Sequence, residues 1–205
     1  MPILAAEVAE YPADLFSGFQ SSTEDCRWWA VYTKPRQEKS LARDLLRMEL
    51  PFYLPLVKKA NLIRGRQVPS LLPLFDGYLF LFGDEEDRVR ALTTQRIVQV
   101  VNVGDPPRLY NDLRKIRLLI ASDAPLTVER RLLPGRRVRI CSGSMRGLEG
   151  TVVTRRGQTR LLVSVDFLQQ GASIAMEDYC VEPIDLVPPK PPSELRPYSS
   201  PSSRL

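Results

Sequence analysis

Two different hydrophobic patterns follow one another along this chain, and the change falls near residue 133. Before it, compact apolar runs such as "WWAVYT" (28–33) and "LFDGYLFLF" (74–82) are separated by stretches with an apolar residue every three or four positions. The runs are typical of buried β-strands, and the spaced stretches are typical of amphipathic helices. The first part of the chain therefore predicts alternating strands and helices.

The elements after the first strand follow from the same patterns. Pro35 precedes a predicted helix of about 14 residues, whose apolar face carries Leu41, Leu45 and Met48. The next strand, 51–58, contains Pro55, which confines it to a sheet edge or a bulge. A hairpin follows, because "IRGRQVPSLLP" places a glycine at a turn between two apolar strands.

The second half of this region predicts a central strand and two helices. The run 74–82 is continuously apolar after its turn, so we expect it in the middle of the sheet. Asp84 is expected to cap a short helix with Val89 and Leu92 facing inward, and Asn111 to cap the last helix. The order predicts an α+β fold over 28–122, an antiparallel sheet flanked by helices.

Beyond residue 133, short strands about ten residues apart are separated by glycine-rich or polar turns. This pattern is typical of a small β-barrel, which we place at 133–186. Its segment "GSMRGLEG" (143–150) resembles a phosphate loop but lacks the GK[ST] ending and joins strand to strand. We expect its glycines to serve turns and strand bends.

The remaining segments predict no core of their own. Residues 1–27 show no sustained period and are interpreted as a flexible arm, and 123–132 as a linker between two domains. Residues 187–205 contain six prolines and five serines, which predicts a disordered tail.

Charge and composition narrow the function. The net charge is +5, and residues 130–160 carry nine arginines against one acid, whereas 161–187 carry five acids and no base. This asymmetry indicates faces with different partners, one of which could be nucleic acid; a plain solvated surface is the alternative.

Histidine is absent, which excludes His-dependent triads and HExxH zinc sites. The three cysteines form no CxxC pair, so neither a disulfide framework nor a zinc site is expected. No apolar run approaches the roughly 20 residues of a membrane span. We therefore expect a cytoplasmic, monomeric, non-enzymatic protein with no cofactor, no metal and no membrane contact.

The arginine-rich half resembles the KOW motif, in which a strand, a glycine-bearing loop and a second strand open a five-stranded SH3-like barrel. The matching residues are Pro134, Gly135, Val138, Ile140, Gly143, Gly147, Gly150, Thr151 and Val152. The resemblance implies that 133–186 is a small SH3-like β-barrel that binds a second factor.

Upstream, "WWAVYTKPRQEKSLARDLL" and "PLFDGYLFL" resemble the first strand and helix and a later strand of the N-terminal (NGN) domain of the NusG family. The segments "LIRGRQ" and "TQRIVQVV" are closer to its specialised RfaH-like paralogues, although Asp76 replaces the usual proline. The resemblance implies a transcription elongation and antitermination factor that binds the clamp helices of RNA polymerase and suppresses pausing.

The resemblance also assigns candidate residues. Those expected to contact RNA polymerase are Trp29, Tyr32, Phe75, Tyr78 and Phe80, of which Tyr32 and Phe75, at strand ends, are preferred. Those expected to contact non-template or upstream DNA are Lys34, Arg47, Arg64, Arg66 and Arg96. For each aromatic taken singly, core packing is the better expectation, and for the cations a solvated helix face is the alternative.

Within this family, an operon-specialised paralogue is expected, and a housekeeping NusG acting with Rho or ribosomal protein S10 is the alternative. A KOW-type RNA-binding or ribosome-associated protein is a further alternative. The strand "WWAVYT" and the run "LFDGYLF" favour the transcription factor, because a ribosomal KOW protein would not need them.

Overall fold

Two antiparallel β-sheets, a two-stranded hairpin and three α-helices make up the described part of the chain. The computed structural model describes residues 7–17, 25–63, 66–122, 124–129, 135–155, 157–176 and 179–184, and excludes the side chains of 59–63, 66–69 and 128. This is a mixed α/β fold, which confirms the predicted combination of antiparallel strands and helices.

In chain order the elements are β1 (Glu10–Tyr11), β2 (Arg27–Thr33), α1 (Glu38–Arg47), β3 (Phe52–Tyr53), β4 (Leu56–Ile63), β5 (Arg66–Pro73), β6 (Tyr78–Gly83), α2 (Glu85–Leu92), β7 (Ile97–Val101), α3 (Pro106–Ala121), β8 (Thr127–Glu129), β9 (Arg136–Ile140), β10 (Glu149–Arg155), β11 (Gln158–Val165), a 3-10 helix (Asp166–Leu168), β12 (Gln170–Ala175) and β13 (Val181–Pro183).

The first sheet has the strand order β1-β3-β6-β2-β7, with β6 in the middle as predicted. Successive side chains of a strand point to opposite faces, so β2 and β6 each supply both faces with apolar groups. Val31 and Leu79 pack with Leu45 of α1 on one face. Ala30 and Phe80 pack with α3 on the other. Helices therefore cover this sheet on both sides.

Pro55 separates two strands that belong to different sheets. Before it, β3 lies in the first sheet between β1 and β6. After it, β4 pairs with β5 from Leu56↔Pro73 to Ile63↔Arg66, which forms the predicted hairpin. A proline cannot donate to a strand ladder, so the chain leaves one sheet and enters the next at this position.

The predicted inward face of α2 is wrong. Asp84 caps this helix as expected, accepting a hydrogen bond from the Asp87 N–H at 2.9 Å. Val89 and Leu92, however, are 50% and 39% exposed, and Ala91 is the residue buried on this helix. A helix of two turns has a narrow inner face. Here α2 lies so close to the sheet that only the methyl group of Ala91 fits between them.

The start of α3 also differs from the prediction. The N-cap is Asp105, which accepts from the Arg108 N–H at 3.0 Å, and Pro106 and Pro107 occupy the first turn. Asn111, predicted as the cap, lies inside the helix. Proline suits the first helical position because its missing N–H would have no helical partner there.

The described part of the predicted flexible arm, residues 7–17, packs onto the first domain. Leu15 and Phe16 are buried in the core, and β1 extends the first sheet. Arg117 of α3 donates to both carboxylate oxygens of Glu10 at 2.7 Å. Two apolar side chains and a two-point ion pair give this segment a fixed position that its weak periodicity did not predict.

The second sheet has the order β13-β9-β10-β11-β12-β8, all antiparallel. Its edge strand β8 comes from the segment predicted as a linker, 123–132, and pairs with β12. The second sheet therefore contains six strands, in agreement with the predicted series of short strands. The closed SH3-like barrel stays a prediction.

The second sheet packs against α3. Arg108 of α3 is ion-paired with Asp166, and Lys115 lies 3.4 Å from Glu149 on β10. The two sheets thus share one helix. In the described part of the chain, no helix has the length and apolar character needed to cross a bilayer.

Candidate protein and nucleic-acid interface

Tyr32, which is exposed, and Tyr78, which is half-buried, form an aromatic pair at the ends of the two central strands. They are cross-strand partners, with ring centroids 5.2 Å apart, and Tyr32 is 40% exposed. Gly77 lies directly beneath the Tyr32 ring, because a Cβ added at this glycine would come within 2.8 Å of the Tyr32 Cε2 atom. We call Tyr32 and Tyr78 the tyrosine pair.

Hydrogen bonds hold the loop below the tyrosine pair. The Gly77 N–H donates to Oε1 of Glu38 at 2.8 Å, and the Gly77 carbonyl accepts from the Thr33 N–H at 2.8 Å. Glu38 is only 8% exposed at the start of α1. Sequence reasoning missed this carboxylate, because its partner lies 39 positions away and no local signal joins the two.

The other three aromatics proposed as contacts lie in the core, which corrects the expectation of a common exposed surface. Phe75 and Phe80 are fully buried and meet edge to face at 6.2 Å. Trp29 is 5% exposed on the opposite face of the sheet, where its Nε1–H donates to the Gly83 carbonyl. Large rings between a sheet and its helices are buried for stability.

An apolar hollow of about 1070 Å³ begins beside the loop under the tyrosine pair. Its walls come from the base of the β4–β5 hairpin, the loop before β6, the end of α3 and the segment leading into β8. Leu56, Leu71, Leu74, Ile120 and Leu126 are among the residues that line it. Asp76, the neighbour of Gly77, lines this hollow, so the first domain has a concave and largely apolar surface close to the tyrosine pair.

Three of the predicted DNA contacts come together near α1. Arg47 contacts Oδ1 of Asp44 at 3.0 Å, while Arg96 donates to Oδ2 of the same carboxylate and to Gln37. The Lys34 N–H donates to the Arg96 carbonyl at 2.8 Å. The Asp44 carboxylate thus holds the side chains of Arg47 and Arg96 next to each other. We call Lys34, Arg47 and Arg96 the cation cluster.

The cation cluster adjoins the tyrosine pair. Lys34 is exposed and follows Tyr32 by two residues, and the Arg47 side chain is 74% exposed. The two hairpin candidates cannot be compared with it: Arg64 and the side chain of Arg66 lie outside the described residues.

The motif residues of the second sheet occupy the positions that a strand, loop and strand require. Val138 and Ile140 are buried on β9, and Thr151 and Val152 lie on β10. Pro134 lies outside the described residues.

Two glycines of that motif lie in the connection itself. Gly143 and Gly147 have φ of +80° and +86°, so the connection needs left-handed backbone, which glycine adopts without strain. This confirms that the loop joins strand to strand and offers no helix N-terminus to a phosphate.

Arginines of the second sheet are largely bonded to neighbours. Arg139 donates to Oε1 of Glu149 at 2.8 Å, a hydrogen bond that holds the pKa of this carboxyl below its usual range. Arg155 donates to Glu129 of β8 at 2.8 Å. Arg160 donates to Ser173 Oγ at 2.9 Å. The arginines of this stretch therefore form hydrogen bonds between strands, in addition to giving the surface a positive charge.

A carboxylate of α3 connects the two sheets. Oδ2 of Asp112 accepts from the Asp166 N–H at 3.1 Å. Burial raises the pKa of Asp112 to about 6, although Lys115 and Arg108 act in the opposite direction. Across the ranges that the structure describes, no group of three or more His, Cys, Asp or Glu side chains is placed to hold a metal ion.

Comparison with known families gives a match in the first domain. The family model "Transcription termination factor nusG" matches residues 26–116, somewhat less than half of the chain. Residues 26–116 are therefore similar to proteins of the NusG family. The match includes the tyrosine pair and the cation cluster, and it ends inside α3. The second sheet lies beyond it.

Two solved structures are also similar in part. One, described as "Domain interaction in Thermotoga maritima NusG", is 19% identical, with a TM-score of 0.41, over 78% of this chain and 98% of that one. The other, the MjSpt4:Spt5 complex in conformation B, is 14% identical, with a TM-score of 0.29, over 77% and 96%. No curated protein matches the chain.

Proposed function

We propose that this protein is a non-enzymatic transcription elongation factor that binds RNA polymerase through its NusG-family domain and suppresses pausing. The family match over residues 26–116 supports a role in transcription. The polymerase surface we propose is the tyrosine pair together with the apolar hollow beside it.

The exposure of Tyr32 is the observation that carries this proposal. A tyrosine that is 40% exposed at the end of a central strand leaves apolar area in water. Tyrosine is also one of the residue types enriched at the energetically dominant positions of interfaces. The hydrogen-bonded loop at Gly77 keeps its ring in place before a partner arrives, which lowers the entropy lost on binding.

The cation cluster supports DNA contact next to the polymerase surface. Exposed lysine and arginine side chains bind phosphates, and an arginine can also bond to a base edge. Lys34 and Arg47 are the most exposed members, while Arg96 is held by Asp44 and Gln37. We therefore assign phosphate contact to Lys34 and Arg47 and a positioning role to Arg96.

We further propose that the second sheet is a KOW domain that recruits another factor, ribosomal protein S10 or Rho. The buried pair Val138 and Ile140 and the left-handed glycines of the loop support this assignment. The segments "LIRGRQ" and "TQRIVQVV" support specialisation to selected operons, as in RfaH-like proteins. The bonding of Arg139, Arg155 and Arg160 within the sheet weighs against a purely RNA-binding module.

Recovery of core RNA polymerase on the tagged full-length protein tests the polymerase surface. We expect Tyr32→Ala to reduce recovery roughly tenfold, the loss expected for one central aromatic contact. Phe167→Ala is the matched control, because Phe167 is also an aromatic residue near 40% exposure, at 37%, but lies in the second half of the chain.

Equal recovery by wild type and Tyr32→Ala would remove the tyrosine pair from the proposal. Loss in Phe167→Ala alone would move the polymerase surface to the second half of the chain. Phe75→Ala is unsuitable here, because a fully buried ring cannot be removed without destabilising the fold.

A further inference from the structure

Cys141 and Cys180 lie opposite each other just beyond the ends of two paired strands of the second sheet, β9 and β13. Val181 of β13 pairs with Ile140 of β9, and one step further along the same register brings Cys180 opposite Cys141. The Cys141 N–H donates to the Cys180 carbonyl at 2.9 Å, so the ladder continues through this position. Residues opposite each other in an antiparallel pair point their side chains to the same face.

The geometry of such a pair suits a disulfide. Hydrogen-bonded partners in antiparallel strands have Cα atoms about 5.5 Å apart, inside the range of about 4.4–6.8 Å that disulfides span. Both thiols are free, Cys180 is exposed and Cys141 is half-buried. Burial, with smaller contributions from Glu182 and Cys180, raises the pKa of Cys141, so its thiolate forms less readily than that of an ordinary cysteine.

We propose that Cys141 and Cys180 form a redox modification site, joined by an intramolecular disulfide when the protein meets a small disulfide oxidant such as oxidised glutathione. The third cysteine, Cys26, precedes β2 in the first domain and takes no part. This site depends on the second sheet alone and not on the function proposed above.

The reaction proceeds by two exchanges. The thiolate of the exposed Cys180 attacks one sulfur of oxidised glutathione, which forms a mixed disulfide and releases one glutathione thiolate. The thiolate of Cys141 then attacks the Cys180 sulfur and releases the second. The protein loses two thiol protons and two electrons, and the oxidant becomes two molecules of reduced glutathione.

The bond would fix the end of the second sheet. Among the described residues, β13 is a strand of three residues that pairs with β9, and Val181 packs against the core. A disulfide between positions 141 and 180 closes a long loop and restricts the unfolded chain. The oxidised protein would therefore keep β13 in place under conditions that release it from the reduced protein.

Differential alkylation and peptide mass mapping test the site. The full-length protein is equilibrated with oxidised or reduced glutathione, free thiols are alkylated, and the digest is analysed without reduction. We expect a peptide pair linked through Cys141 and Cys180 to exceed any disulfide at Cys26 by about tenfold or more, because these two cysteines occupy opposing positions beside paired strands and Cys26 lies near β2. The Cys26→Ser variant should give the same linked pair.

Two single variants separate the steps. Cys141→Ser should accumulate glutathione on Cys180, since the resolving thiol is gone, and Cys180→Ser should give no internal link. The oxidised wild type should unfold at a temperature higher than the reduced one by roughly 5 °C. Cys180→Ser should lack this difference.

A map dominated by mixed disulfides in the wild type, by links to Cys26, or by cross-linked dimers would overturn the proposal. So would a linked pair that leaves the unfolding temperature unchanged, because β13 would then not be held by the bond.

Discussion

The two sheets bury their interiors in different ways. The first lies between α1 and α2 on one side and α3 on the other, and the largest fully buried side chains of the described residues, such as Phe52, Phe75 and Phe80, all belong to this half. The second sheet packs on α3 and buries aliphatic side chains, among them Leu161, Val163 and Ile174. Aromatic rings therefore fill much of the core of the first domain, whereas aliphatic side chains fill that of the second sheet.

Glycines show how close those strands lie. A Cβ added at Gly135, Gly150 or Gly171 would come within 2.1, 2.6 and 2.3 Å of a carbonyl oxygen of the neighbouring strand. Backbone atoms cannot give way as a flexible side chain can. The second sheet thus requires glycine at these positions, whereas the first domain requires large buried side chains. Glycine lets strands lie close together, which suits a small unit with few packed helices.

The largest expected effect is the loss of a ring from the first sheet. Phe80→Ala should lower the free energy of unfolding by about 3–5 kcal/mol, because it leaves a cavity against Phe75 and α3. Urea unfolding of the full-length protein, followed by tryptophan fluorescence, measures it, since both tryptophans lie in this domain. Phe167→Ala, at an exposed position, should cost less than about 1 kcal/mol. Similar losses of stability in Phe80→Ala and Phe167→Ala would contradict the inference that the first domain depends on its buried rings.

A smaller effect is expected from adding one carbon to the second sheet. Gly171→Ala should cost about 1–3 kcal/mol, since its Cβ would meet the Val163 carbonyl oxygen at 2.3 Å. The matched control is Gly104→Ala, where nothing lies within 4 Å of the added carbon. Circular dichroism during urea unfolding compares the two variants. If Gly171→Ala were as stable as the control, the close approach of β11 and β12 would not constrain the sheet.

Local signals explain which elements could be predicted. The apolar run 74–82 predicts the central strand, and Asp84 followed by three acids predicts the start of α2. Both predictions are correct because each feature is determined by residues close together in the chain. The cap of α3 was missed although the signal was present in Asp105 followed by two prolines. The inward face of α2 was wrong because the position of a short helix over a sheet is set by tertiary packing.

Long-range pairing explains the limits at the candidate site. Tyr32 and Phe75 both lie near strand ends, yet Tyr32 is exposed, whereas Phe75 is fully buried in the core cluster that includes residues of α3. The role of Glu38 depends on a loop 39 residues away. The pairing of Cys141 with Cys180 likewise requires the register of β13 on β9, which spacing in the sequence does not reveal.

The smallest expected effect lies where the two sheets meet. Because the pKa of Asp112 is raised from 3.8 to about 6, ionising this carboxyl costs the folded state more than the unfolded one. Its contribution to stability therefore falls as pH rises from about 4 to about 6, and the penalty is complete above that window. Asp112→Asn removes the charge and keeps an oxygen acceptor for the Asp166 N–H.

We therefore expect Asp112→Asn to stabilise the protein by about 1 kcal/mol near pH 7, less than the shift alone implies because the side chain keeps partial contact with water. Near pH 4 the variant and the wild type should be equally stable. Urea unfolding at both pH values gives the comparison. A gain of equal size at both would mean that packing or hydrogen bonding, and not the buried charge, distinguishes the variant, and the contact between α3 and the second sheet would then lack the electrostatic cost inferred for it.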